Sequence, residues 1–286
     1  MMESVQKVKD EDMLWGKKNF EDICVQNLSA KHFGKYVSGK LKVFSTARCC
    51  TEFTESPDFL FEINNECYGV EHFVIDLLYK EQEGVQRSGS RLADSGIWEI
   101  YKHHHEALIK NQFDAKIAAK DLEKAIQEMA DLVAKFNYAQ YMDEFKRIVE
   151  KHAGKVGKYY ENIQQPGKTK IYFLIEERNP FSGAFGKGID CFVRRRDGAL
   201  IKRTSPQTIL TVEMMQVLKK YIGKIEGVIF QTYDFSDISN QMVSMIYLDM
   251  TSEKMLKSSL DAQKLTVYQD FYFTAPYVDL YLDVKN

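Results

Sequence analysis

Ser56-Pro57-Asp58-Phe59-Leu60-Phe61-Glu62-Ile63-Asn64-Asn65-Glu66-Cys67-Tyr68-Gly69-Val70-Glu71 reads as two short apolar strands joined by Asn64-Asn65. Asn tolerates the left-handed backbone that a two-residue hairpin turn demands, so the pair suits a type I′ turn. That turn sets Ile63 opposite Glu66 and, counting outward, Asp58 opposite Glu71. Directly opposed residues on antiparallel strands hold their Cβ atoms ~5 Å apart. Two carboxylates at that spacing repel each other. A cation between them, a proton on one of them, or a strand end splayed into water relieves the repulsion. The pairing depends on register, because a slip of one residue carries a side chain to the other face of the sheet.

Outward from the hairpin, the apolar run continues to residue 76, and residues 80–91, with Gly84 and Gly89, read as a polar loop. Asp94-Ser95 suits the cap of a helix starting near Ile97. Residues 95–165 read as a helical block. Leu122, Ala125, Ile126, Met129, Leu132, Val133 and Phe136 form one apolar stripe, and Tyr141, Phe145, Ile148 and Val149 a second. Asp114 suits the start of the first helix and Asn137 the break between the two. After Pro166-Gly167 the character changes to strands rich in β-formers, at 170–175 and 227–233, with a further strand at 243–249 and an alternating segment at 277–284. Glu176-Glu177 end the first of these and read as solvated strand-end charges. Asp197-Gly198 marks a hairpin between 189–196 and 200–203, and 208–222 reads as a helix. Strands alternating with helices give an α/β (or α+β) class: a mixed central sheet, flanking helices, and the 95–165 block inserted between two strands.

Composition sets bounds on function. The chain has 286 residues, 44% hydrophobic and 28% charged, with a net charge of −2, so contact with a polyanion must come from a local patch. No apolar run approaches the ~20 residues that span a bilayer, and the first twenty residues lack the apolar core of a secretory signal. Five cysteines without CxxC spacing suit a reduced, cytoplasmic protein.

Pro57-Asp58, an apolar strand, then Gly69-Val70-Glu71 resembles the first part of the PD-(D/E)xK (restriction-endonuclease-like) nuclease signature, in the form found in compact bacterial members. The remaining elements are compatible with that core: an N-terminal helix, the hairpin, central strands and an intervening helix. The resemblance implies a single nuclease-like domain over 1–286 that cleaves phosphodiester bonds in DNA or RNA, in bacterial defence or repair. It implies that Asp58 and Glu71 bind Mg²⁺ or Mn²⁺ as the catalytic metal, with a lysine two residues after the Glu acting on water.

Here that position is Phe73, which can neither donate a hydrogen bond nor hold a proton. His72 is adjacent but points to the other face of a strand. Lys102, on the helix after the loop, is the candidate displaced lysine, and Lys170 starts the next strand. Glu176 or Glu177 offers a third carboxylate. An alternative reading is a catalytically inactive protein on the same fold that binds nucleic acid or a protein partner. A third is an interaction protein in which the helical block binds a partner or a second copy.

Arg194, Arg195, Arg196, Lys202 and Arg203 place five cations on one short hairpin, a ribbon suited to nucleic-acid phosphates. Lys35, Lys40 and Lys42 are placed to extend it. His103-His104-His105 fan over ~200° of a helix, too far apart to ligate one ion together, and read as a surface face. Gly183-Ala184-Phe185-Gly186-Lys187-Gly188 fits neither phosphate-loop pattern, and Cys67 lacks an evident His partner.

Overall fold

Asn65 has φ of 67°, and across the Asn64-Asn65 turn the strands pair Ile63 with Glu66, Glu62 with Cys67 and Phe59 with Val70, the register the turn chemistry dictates. The computed structural model describes residues 30–45, 48–49, 57–63, 65–76, 79–82, 85–88, 100, 103–110, 114–163, 169–178, 190–203, 207–234 and 242–274. The hairpin strands are β2 (Phe59–Ile63) and β3 (Glu66–Asp76), with β1 (Arg48–Cys49) antiparallel to β2. β6 (Thr169–Arg178) and β9 (Gly227–Asp234) follow in parallel, and β10 (Met242–Asp249) returns antiparallel. The result is one mixed six-stranded sheet, ordered β1-β2-β3-β6-β9-β10.

Two further sheets are small. β4 (Tyr79–Gln82) and β5 (Val85–Ser88) pair antiparallel where a loop is expected from the polar composition; backbone pairing from Tyr79 with Ser88 to Gln82 with Val85 prevails there. β7 (Asp190–Arg194) and β8 (Leu200–Arg203) form the ribbon around Gly198, whose φ of 86° suits the turn. β11 (Asp270–Thr274), not evident beforehand, lines the ribbon's other side in the order β11-β7-β8.

The alternation of side chains divides the large sheet into two faces. On one, Cys67, Phe73, Ile75, Ile171, Phe173, Ile175, Val228 and Phe230 join a core completed by three helices. These are α3 (Tyr138–Ala153), α4 (Val156–Asn162) and α5 (Val212–Lys219). Cys191, Val193, Phe271 and Phe273 bring the small sheet into this same core. On the other face, Phe59, Phe61, Tyr68, Val70, Tyr172 and Leu174 pack under α1 (Ala30–Ser45), which contributes Val37, Leu41 and Phe44 at helical spacing.

The helices α2 (Ala115–Ala134), α3 and α4 lie between β3 and β6, where the helical block is expected. Asp114 caps α2 through the amides of Lys116 and Ile117, and Asn137 caps α3 through those of Ala139 and Gln140. α3 is part of the core and no appendage: Tyr141, Met142, Phe145 and Val149 are buried on it. α5 is shorter than its sequence suggests because Thr211 bridges to Tyr268 and becomes the N-cap, leaving Thr208 to Leu210 non-helical and buried. A further helix, α6 (Glu253–Ala262), starts at the capping hydroxyl of Ser252. No helix among the described residues is long and apolar enough to cross a membrane.

Candidate active site

Gly69 sets the position of Asp58. A Cβ at Gly69 would lie 2.8 Å from Pro57 Cγ and 2.9 Å from Ile171 Cδ1, so the bare backbone is what lets the proline ring settle onto β3. Asp58 follows, one residue before β2, and the register carries it opposite Glu71. Its Oδ2 accepts a hydrogen bond from the backbone N–H of His72 at 2.7 Å. Burial, then the neighbouring Glu71 carboxylate, push Asp58 up to about 6, against the pull of the His72 amide and the imidazoles of His72 and His152. The two carboxylates therefore share one small volume on the helical face of the sheet.

Glu71 is only 3% exposed. Its Oε1 lies 2.6 Å from Nδ1 of His152, on the last turn of α3. Its Oε2 is buried and has no hydrogen-bond partner among the described residues. The His152 ring lies flat on Phe73, with centroids 4.4 Å apart and planes 12° apart, and Phe73 meets Phe173 edge-on at 5.4 Å. Phe73 is thus a core side chain that fixes an imidazole against Glu71. His152 is the residue that the sequence reading misses. The available signal is its place at the end of the stripe Tyr141, Phe145, Val149, which puts a polar residue on the buried face of a helix.

The other candidate residues go elsewhere. His72 turns to the opposite face, as alternation requires, and its Nε2 lies 3.2 Å from Glu176 Oε2. Glu176 and Glu177 are each 2% exposed, which corrects the expectation of solvated charges: β6 is flanked by β3 and β9, and both its faces are covered. Glu177 stays on the helical face, where Tyr141 donates to its Oε1 at 2.8 Å; burial raises its pKa, opposed by the Tyr141 and Thr208 hydroxyls and by Arg203. Lys170 pairs with Glu66 at 2.8 Å near the start of β6, three residues along the sheet from the level of Glu71. Lys102, the loop glycines 183–188, Asp94-Ser95 and the segment 277–284 lie outside the described residues.

The basic ribbon is largely paired with its own acids. Arg194 meets Asp270 at 3.1 Å, Arg195 meets Asp197 at 3.3 Å, and Lys202 meets Asp190 at 2.7 Å, while Arg203 lies over the Tyr268 ring. Lys40 does not extend the ribbon: α1 covers the opposite face, and there Lys40 bonds Asp249 at 2.6 Å. His104 is partnered by Asp121 at 3.1 Å. Cys67 and Cys191 are buried free thiols, and burial pushes Cys191 up to about 12, which leaves it inert.

No family model matches this chain, and neither does any curated protein or solved structure. Among the described residues no three His, Cys, Asp or Glu side chains form a ready metal cage. A hard ion such as Mg²⁺ does not need one, since it is commonly held by one or two carboxylates with waters and substrate phosphate completing its shell. The orphaned buried Oε2 of Glu71, beside Asp58, fits that manner of binding.

Proposed function

We propose that this protein is a divalent-metal-dependent nuclease of the PD-(D/E)xK type, with Asp58 and Glu71 as its metal ligands. The observation that carries the reading is the buried Oε2 of Glu71, which lacks a partner among the described residues while Oε1 is fixed by His152. An uncompensated carboxylate oxygen in a protein interior is costly unless something arrives to neutralise it. The element order supports the same reading: a helix, three strands paired antiparallel in sequence, a helical connection, then a strand parallel to the third.

A divalent ion held by Asp58 and Glu71 would supply Lewis-acid activation of water and charge neutralisation at the phosphate. In the reaction, a water oxygen bonds to phosphorus as the bond from phosphorus to the sugar oxygen breaks. One proton leaves the water and one reaches the departing oxygen. The His72 amide orients Asp58, and His152 orients Glu71 and stands beside the pair as a group able to carry a proton, the capacity Phe73 lacks. The ribbon of Arg194, Arg195, Arg196, Lys202 and Arg203 is the phosphate-contacting surface in this reading. Its pairs are exposed, and exposed pairs are weak enough, ~0–1 kcal/mol, to exchange for phosphate.

The stacked Phe73–His152 pair favours a second reading, a nucleic-acid-binding protein that has lost its catalytic amine. Incubation of single- and double-stranded DNA and of RNA with Mg²⁺ or Mn²⁺ separates the two. Cleavage by the wild type, abolished in Asp58→Asn and Glu71→Gln variants that keep their fold, is the expected result. Binding of nucleic acid without cleavage on any substrate sinks the enzyme reading and leaves the second.

A further inference from the structure

Away from Asp58 and Glu71, α5 and α6 flank a cleft of about 350 Å³ that shares neither carboxylate and takes only Arg196 from the basic ribbon. That volume lies at the lower end of the ~300–1,000 Å³ range of small-ligand sites. Val212, Met215, Leu256, Leu260 and Val267 line it, all of them buried or half-buried. Its rim is exposed and mostly cationic: Arg196, Lys219 and Lys257 against the single acid Glu253. Neither Arg196, Lys219 nor Lys257 takes part in an ion pair or side-chain hydrogen bond among the described residues, whereas the neighbouring ribbon cations Arg194, Arg195 and Lys202 each have an acid of their own. Three uncommitted cations around an apolar floor match a ligand that is apolar along its body and anionic at its head. At ~30 Å³ per water-sized atom, the cleft has room for about ten such atoms.

We propose that this cleft binds a small amphipathic anion, an unbranched apolar body of about ten carbons ending in a carboxylate. The apolar floor takes the body, removing it from water, and the rim takes the head. Arg196 is suited to the head because its planar fork matches a carboxylate's two oxygens. A bare phosphate chain is a poor occupant, since five apolar side chains offer it no donors.

The test uses the full chain labelled with ¹³C-methyl methionine, titrated with decanoate and with decanol, together with calorimetry. Saturable one-to-one binding of decanoate that moves the Met215 methyl signal is expected. Lys219→Glu combined with Lys257→Glu should weaken it by about tenfold or more, and decanol should bind at least about tenfold more weakly than decanoate to the wild type. Both substitutions are on exposed positions, and the decanol comparison needs no variant. A Met215 signal unmoved by decanoate up to about 1 mM overturns the proposal, as does equal affinity for decanol. A Met215 shift produced by an oligothymidylate, with decanoate silent, would assign the cleft to the ribbon's polyanion surface and overturn it as well.

Discussion

Glu71 and His152 stand 81 residues apart in the chain and meet at 2.6 Å, one from the middle of β3 and one from the last turn of α3. The contact engages one oxygen of a buried carboxylate and leaves the other without a partner among the described residues. Divalent metal should therefore stabilise the fold through Glu71. Thermal melts with Mn²⁺ at ~100-fold excess over its dissociation constant should show about 2.7 kcal/mol of added stability in the wild type. Glu71→Gln should show none, and an equal gain in that variant would place the metal elsewhere.

Asp58 makes the stability of the metal-free protein depend on pH. Its folded value, about 6, is raised above the ordinary 3.8, so the fold favours the protonated form. The resulting stabilisation is complete below about pH 4 and is lost as pH rises through about 6. In chelator, urea melts of the wild type should lose about 3 kcal/mol across that window relative to Asp58→Asn, which keeps an oxygen for the His72 amide. Parallel pH curves for the two proteins would show that neither burial nor the Glu71 carboxylate raises Asp58 in the fold.

Two substitutions at Phe73 separate packing from charge. Phe73→Ala removes the stack on His152 and the edge contact to Phe173, and should cost ~3–5 kcal/mol. Phe73→Lys loses the same contacts but sets a cation on the face that carries Asp58 and Glu71, and should cost less. Urea denaturation at pH 7 should rank wild type above Phe73→Lys, and Phe73→Lys above Phe73→Ala. The reverse order of the two variants would mean that the carboxylates are out of reach of this position.

Gly69→Ala should destabilise by ~1–3 kcal/mol, since the new methyl meets Pro57 and Ile171 under 3.0 Å and a proline ring has little freedom to yield. Because Pro57 precedes Asp58, the same variant should also weaken Mn²⁺ stabilisation, read in the same melts. A neutral outcome would show that the hairpin relaxes without moving Asp58.

The hairpin and its register are legible in the sequence because the turn residues and the two-residue pleat fix them locally, and Asp58 opposite Glu71 follows without tertiary information. The burial of Glu176 and Glu177 is not legible: the same two residues on an edge strand would be solvated, and only the positions of β3 and β9 decide otherwise. His152 needs both the helical phase of α3 and the face on which α3 lands. The shortening of α5 arises from the pairing of Thr211 with Tyr268, a competition that local propensity does not contain. α6 carries its signal openly, Ser252 at the cap and Leu256 and Leu260 on one face, and so does the aromatic alternation of β11. Both are short, and they are overlooked beside longer patterns.

The parallel pairing of β3 with β6 joins Cys67 to Thr169, so more than half of the 286-residue chain must be made before the centre of the sheet can close. Long-range pairing of this kind is entropically late and slow, while the β2–β3 hairpin needs only its own turn. The register that sets Asp58 opposite Glu71 is therefore local to the hairpin, whereas His152 reaches Glu71 only when the crossover docks. A growing chain holds Glu71 without its imidazole until α3 has been made and packed, and the burial of the acidic pair becomes a late event in the protein's own synthesis.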